Sequence, residues 1–342
     1  MTKIESREFH LNQYPEGIPS PDNFQLKKVN FRKLNKGELL IKNIWMSVDP
    51  YMRGRMVDMK TYAEPFKIGE VLYGGAIGQV VESLHRDYRP GCYVKSMQGW
   101  REYFISEGEG LDQVDCKIAP PQAHLGVMGM PGMTAYVGLL YIGEVKPGDT
   151  VFVSAAAGAV GSLVCQIAKM KGCRVVGSVG SEQKVNWLID KAKIDTAINY
   201  KTSIDFNAAL SESCPDGIDV YYDNVGGKQL EAALNLMNQS GRVVVCGTIS
   251  NYNNLKPSPG PSNLRQILVK RLKVQGFIVS DHMDLYPEFI EQMSKWVSAG
   301  KIKWHETIIE GIENAPTAFI GLFKGENIGK MLVKLSNPET LS

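Results

Sequence analysis

Residues 149–181 read DTVFVSAAAGAVGSLVCQIAKMKGCRVVGSVGS, and no other segment constrains this chain as strongly. A short apolar run at 151–154 suits a buried strand, small residues at Ala155, Gly158 and Gly161 follow at once, and a helical stretch begins directly after them. A second apolar strand is expected at 174–179. A strand that enters a helix through small residues lets a ligand approach the backbone closely. The amide groups there, together with the positive end of the helix, match the charge of a pyrophosphate. Gly158, Ala159 and Val160, with Gly161 opening the helix, are therefore the expected pyrophosphate contacts. Three glycine-like positions alone are weak, but the strand before, the helix after and the second strand make this a nucleotide-binding β-α-β unit. The plainer alternative is a tight strand-to-helix turn that holds no ligand.

The choice between nicotinamide cofactors falls about 20 residues past the glycines, where NAD enzymes usually offer an acid to the adenosine ribose. Here the second strand ends in Gly177, Ser178, Val179, Gly180 and Ser181. With no carboxylate at the strand tip, a 2′-phosphate meets no repulsion. Ser178 can donate a hydrogen bond and Lys184 a charge, so NADP(H) is the expected cofactor. Glu182 would weaken that preference if it pointed at the ribose.

Before about residue 120 the chain has short β-branched runs broken by Gly, Pro and Asn, such as ELLIKNIWMSV and AIGQVVES. From about Met130 buried strands alternate with helices, the pattern of a parallel sheet covered on both faces. The fold class is therefore α/β: a doubly wound Rossmann sheet at 126–304 and a β-rich domain at 1–125, completed by 305–342. In the second region TVFVS, RVVGSV, TAINY, DVYYDNV, GRVVVCG and LKVQGFIV are the expected strands. Two stretches, RMVDMKTYAEPFKIGE and SNYNNLKPSPGPSNL, break the pattern and read either as functional loops or as surface excursions.

The 38 basic and 36 acidic residues leave a formal charge of +2, which argues against nucleic acid. No apolar run reaches the ~18–20 residues of a membrane span and the start lacks a secretory stretch, so a cytoplasmic protein without membrane partners is expected. Six cysteines are scattered without close pairs and five histidines are dispersed, so no metal site is expected.

Seven segments carry a closer resemblance: SVDPYMRGRM at 47–56, MGMPGMTAYVGL at 128–139, VSAAAGAVGS at 153–162, YYDNVGG at 221–227, VCGTISNYN at 245–253, QGFIVSD at 275–281 and GENIGKMLVK at 325–334. Together they resemble the zinc-independent medium-chain dehydrogenase/reductases of the prostaglandin, plant alkenal and bacterial curcumin reductase group. That resemblance implies a GroES-like first domain and often a homodimer whose cofactor-domain sheets meet edge to edge; the apolar GRVVVCG and LKVQGFIV segments suit such an edge and equally suit internal strands. It places Met133 and Thr134 beside the nicotinamide, and Ser178, Lys184 and Tyr200 around the 2′-phosphate. Asn224, Cys246, Gly247 and Thr248 fall at the nicotinamide ribose, and Phe277, Ile278, Val279 and Asn327 at the nicotinamide region. Phe277, Ile278 and Val279 equally suit a buried strand, and Asn224 a turn before Gly226 and Gly227.

The resemblance further implies reduction of a carbon–carbon double bond conjugated to a carbonyl, with hydride going to the β carbon and a proton to the α carbon. A phenol is a donor at neutral pH, and Tyr51 and Tyr252 are the candidate tyrosines. Either could instead merely pack its ring. Val269 stands where some relatives carry a further tyrosine. Arg53 and Arg55 read as a carboxylate trap or as solvated charges. A quinone reductase and a non-catalytic NADPH-binding protein are the alternatives.

Overall fold

A computed structural model describes residues 5–256 and 258–340 of the chain. It divides into two compact units. The first takes the described residues up to Leu125, with Glu306–Asn327 and those from Met331 onward; the second takes Gly126–His305 and Ile328–Lys330.

The first unit opens with β1 (Glu5–Leu11) and β2 (Phe24–Asn30), an antiparallel pair. Next come β3 (Leu39–Ser47), a single helical turn α1 (Tyr51–Gly54) and β4 (Ala76–Ser83). The strands β5 (Tyr93–Ser96), β6 (Tyr103–Ser106) and β7 (Asp112–Gln113) follow. Strand β3 alternates little: seven of its nine residues are buried because it is paired on both sides, by β4 and by β6. Phe24 and Trp100, stacked at 5.6 Å, both meet Phe319 from the C-terminal part, and Phe9 packs edge-on against Phe24 and Trp100. Each such ring contributes about 1.5–3 kcal/mol through burial.

The second unit begins with α2 (Met130–Val137), which passes into one π-turn at 138–142. A parallel sheet with its helices follows: β8 (Thr150–Val153), α3 (Gly161–Met170), β9 (Arg174–Val179), α4 (Glu182–Asp190), β10 (Thr196–Asn199) and α5 (Phe206–Ser213). The second half is β11 (Ile218–Asp223), α6 (Gly227–Leu236), β12 (Met237–Val245), α7 (Arg265–Lys270), β13 (Lys273–Gly276) and α8 (Tyr286–Ser298). Strand order is β10-β9-β8-β11-β12-β13, doubly wound about the central β8. All four residues of β8 are buried, as a strand covered by helices on both faces requires. Phe152 stacks on Tyr221 across the β8–β11 pair, with ring centroids 4.9 Å apart. The chain then returns to the first unit with β14 (Glu306–Glu310), α9 (Ala315–Lys324) and β15 (Lys330–Lys334).

The fold is the expected α/β class, with each of the six expected Rossmann strands present. Helices α5 and α7 and strand β14 were not anticipated. Strand β13 is shorter than expected: it stops at Gly276, Phe277 and Ile278 continue as irregular chain, and Val279 enters a 3₁₀ turn. All three are half-buried, so the buried-strand reading of 277–279 is corrected. The sheet edge is β13, while the GRVVVCG segment lies in β12, internal between β11 and β13. Residue 257 of the proline-rich loop lies outside the described residues. Among those residues no helix is long and apolar enough to cross a membrane.

Candidate cofactor site and its tyrosines

The turn after β8 is built so that only small residues fit. Ala155 takes a left-handed backbone (φ 48°), and its carbonyl accepts from Gly158 N at 2.9 Å. Ala156 N donates to Ser178 O at 3.1 Å, which ties the turn to the end of β9. A Cβ on Gly161 would overlap the Ala155 carbonyl oxygen and come within 2.9 Å of Ala156 Cα, so the helix can start here only at a glycine. Gly158, Ala159 and Val160 are partly accessible. Among the described residues the Val160 amide meets no acceptor and α3 has no side-chain cap, while a parallel bridge between Gly158 and Gly329 engages the turn beside it. A free N–H at a helix start suits a pyrophosphate. From the C-terminal part, Gly329 N donates to Ala157 O at 2.7 Å and Lys330 N to His305 O at 2.9 Å, so residues 328–330 strap the turn.

At the far end of β9, Ser181 caps α4 by accepting from Lys184 N at 3.4 Å. Tyr200 is exposed and Lys184 is half-buried. Burial first, and the neighbouring Lys201 second, push the Lys184 ammonium below its ordinary pKa. Glu182 is occupied by Asn199, whose Nδ2 donates to it at 2.6 Å. Ser178 is a correction: its hydroxyl is fully buried and donates to Gln229 Oε1 at 2.6 Å, so it braces β9 against α6 and does not face a phosphate. Lys201 stands at this end too, a placement that no local sequence pattern shows. Parallel pairing aligns Asn199 with Val179, so the residues after both strands leave the sheet at one edge.

The ribose end gathers around β11 and β12. Asn224 donates from Nδ2 to Ser154 O at 2.7 Å, and its amide donates to Ser154 Oγ at 2.9 Å. Cys246 N and Gly247 N both donate to Asp223 O. Burial pushes the Cys246 thiol up to about 12, so it is no nucleophile. Tyr252 Oη accepts weakly from Thr248 N at 3.5 Å, and a Cβ on Gly247 would lie 3.2 Å from that hydroxyl. Thr134 spends its hydroxyl on Met130 O at 2.8 Å, while its carbonyl accepts from Tyr222 Oη at 2.8 Å. Met133 is buried. Phe277 and Tyr222 converge on Gly138, where a Cβ would lie 2.7 Å from each ring. Asn327 immediately precedes the strap.

Asp223 organises this region from a fully buried position. Its Oδ1 accepts from Tyr221 Oη, Ser154 Oγ, Val225 N and Gly226 N, whereas Oδ2 has no partner among the described residues. Burial raises its pKa and the four donors oppose that rise. The folded chain therefore holds this proton more tightly than the unfolded chain does. Stability from this group is complete below about pH 4 and is lost as pH rises through the raised value. Asp223→Asn keeps the acceptor and removes the titration, so its Tm should gain on wild type as pH rises above about pH 4. Asp223→Ala, which strands four donors, should lose about 2–4 kcal/mol. An unchanged pH slope of Tm in Asp223→Asn would count against a protonated Asp223.

In the first unit, Tyr51 opens α1 after Pro50. Its half-buried ring packs on the core, and its hydroxyl hydrogen-bonds to no other described residue. Burial, and then the Asp49 carboxylate, push the phenol well above its ordinary pKa, so it stays protonated. Arg53 and Arg55 are not solvated. Arg53 donates to the carbonyls of Pro15 and Gly17, and Arg55 donates to Glu64 O at 2.8 Å with its guanidinium over Phe66 and Tyr73. Both hold loops in place.

A doubly wound sheet with an amide-lined turn after its central strand, joined to a β-rich unit carrying a neutral phenol, defines a dinucleotide-dependent oxidoreductase. Family models agree: residues 7–114 match the N-terminal domain of oxidoreductase and residues 159–298 match zinc-binding dehydrogenase. The chain belongs to the medium-chain dehydrogenase/reductase family, in the group of curcumin, alkenal and prostaglandin reductases. It is 43% identical to the NADPH-dependent curcumin reductase of Escherichia coli, covering 98% of this chain and 99% of that protein. It is also 43% identical to the NADP(+)-dependent 2-alkenal reductase of Nicotiana tabacum, covering 98% of each. The crystal structure of CurA from Vibrio vulnificus in complex with NADPH matches with a TM-score of 0.92 and 44% identity, over 97% of this chain and 100% of that one. The second family model has zinc in its description, yet among the described residues no group of three or more His, Cys, Asp or Glu could hold a metal ion. The donor set does not fit that metal.

Proposed function

We propose that this protein is an NADPH-dependent reductase of carbon–carbon double bonds conjugated to a carbonyl. The observation that carries the cofactor half is the end of β9, where Lys184 and Tyr200 stand without a free carboxylate and Glu182 is occupied by Asn199. Ala159 and Val160 would hold the pyrophosphate, and Asn224, Gly247 and Thr248 the ribose beyond it. NADPH, when bound, supplies the hydride for the β carbon.

The protein's own task is the charge that develops on the carbonyl oxygen. A neutral phenol donates a hydrogen bond there and stabilises charge that exists only during reaction. Tyr51 suits this because burial keeps it protonated and its hydroxyl is not already engaged by a described residue. Tyr252, on the loop after β12, is the second candidate. The names of the relatives, curcumin reductase and 2-alkenal reductase, support substrates of this class.

We also infer a homodimer. The edge strand β13 leaves Val274 exposed, and Leu264 together with Leu268 and Val269 of α7, which packs on β12, are exposed as well, an apolar surface suited to a second copy. Sedimentation equilibrium showing only monomer would remove that inference.

The functional reading is tested by following NADPH oxidation with a panel of enals, enones and quinones, with NADH in parallel and products identified. Saturated carbonyl products formed with NADPH and scarcely with NADH are expected. Hydroquinones alone would make the protein a quinone reductase, and binding without turnover would make it non-catalytic.

A further inference from the structure

The tip of β9 is surrounded by more positive charge than Lys184 alone supplies. A Cβ built on Gly180 would stand 3.0 Å from Tyr200 Oη and 3.2 Å from Lys201 Cε, so the phenol and the lysine stem converge on one short piece of backbone. Lys184 lies in the first turn of α4, where its amide donates to Ser181 Oγ, and Ser181 directly follows Gly180. Both lysines therefore belong to the end of β9, and after burial the charge of Lys201 lowers the Lys184 pKa. The carboxylates of the neighbouring turns are engaged elsewhere: Glu182 accepts from Asn199, and Asp205 caps α5 by accepting from Asn207 N and Ala208 N. Lys201 is exposed, and its ammonium forms no ion pair among the described residues.

The backbone that presents Lys201 is fixed. Its amide donates to Asn199 Oδ1 at 3.2 Å, while Ser203 N donates to Asn199 O at 3.0 Å. Asn199 therefore uses one side chain to set the turn carrying Lys201 and to keep Glu182 occupied. Like charges placed together cost free energy unless an anion lies between them, and a phosphate dianion would do so with a charge-assisted hydrogen bond from each lysine.

We propose that Lys201 is a specificity-determining residue that closes on the adenosine 2′-phosphate opposite Lys184, with the Tyr200 hydroxyl between them. This rests on the NADPH reading above. Because Lys201 is exposed, its contribution is screened by salt and amounts to roughly five- to tenfold in affinity at low ionic strength.

The experiment is calorimetric titration of the full chain with 2′,5′-ADP and with 5′-AMP, in wild type, Lys201→Met and Lys201→Arg. Wild type should prefer 2′,5′-ADP. Lys201→Met should lose about five- to tenfold for 2′,5′-ADP and nothing for 5′-AMP, and Lys201→Arg should keep the preference. Unchanged 2′,5′-ADP affinity in Lys201→Met, or equal weakening of both nucleotides, overturns the role of Lys201 while the wild-type preference still supports NADPH. Equal affinity of wild type for the two nucleotides overturns the NADPH reading and this proposal with it.

Discussion

Gly329→Ala is expected to destabilise the second unit by about 3–5 kcal/mol and to weaken cofactor binding with it. The left-handed backbone of Gly329 (φ 63°) costs an alanine only about 1 kcal/mol. Most of the cost is steric. The new Cβ would overlap the carbonyl oxygen of His305 and lie 2.7 Å from its carbon. These are backbone atoms and cannot swing aside like a side-chain tip. His305 O is also the acceptor for Lys330 N, and Gly329 N is the donor to Ala157 O. Relieving the overlap therefore breaks the strap, and the strap holds the turn proposed to take the pyrophosphate. Urea unfolding compared with Gly260→Ala is the check. A Cβ at Gly260 has nothing within 4 Å, and that variant should stay within about 0.5 kcal/mol of wild type. Equal midpoints for the two variants would mean that the strap yields freely.

The second large effect is on turnover. With an enone substrate, Tyr51→Phe is expected to lower kcat by about 10²–10³-fold, within the usual range for removing a general acid or oxyanion donor. The ring that packs on the core is retained, so the unfolding midpoint should scarcely move. Tyr252→Phe is expected to act mainly on KM, because its hydroxyl is already shared with the Thr248 amide. The raised pKa of Tyr51 adds a signature: wild-type kcat should show no loss of this donor on the alkaline side up to about pH 10. Steady-state kinetics with saturating NADPH separate the cases. Full kcat in both variants would take the tyrosines out of the chemistry and leave a water or a ribose hydroxyl as donor.

Local structure was legible in the chain where the physics is local. The step from a buried strand through Ala155, Gly158 and Gly161 into a helix is dictated by neighbours a few residues apart. Backbone approach needs missing side chains, and α3 needs a start without a cap. The same holds for the missing acid at the tip of β9. That legibility ended where a side chain's direction depends on distant packing. Ser178 sits on a strand covered on both faces, so nothing in its neighbourhood tells which way the hydroxyl turns; α6 supplies Gln229 and settles it. Arg53 and Arg55 look like surface charges until the carbonyls at 15, 17 and 64 and the rings of Phe66 and Tyr73 enclose them.

By itself, then, the sequence determined the α/β class and the small-residue turn after β8, because periodicity and small-residue spacing act within single elements; the tyrosines worth testing came from the resemblance. Tertiary structure alone decided that Lys201 stands beside Gly180 at the tip of β9, that Gly329 must be glycine against His305, and that β13 rather than β12 forms a sheet edge. Those outcomes depend on strand order and on contacts between segments distant in the chain, which no local pattern encodes.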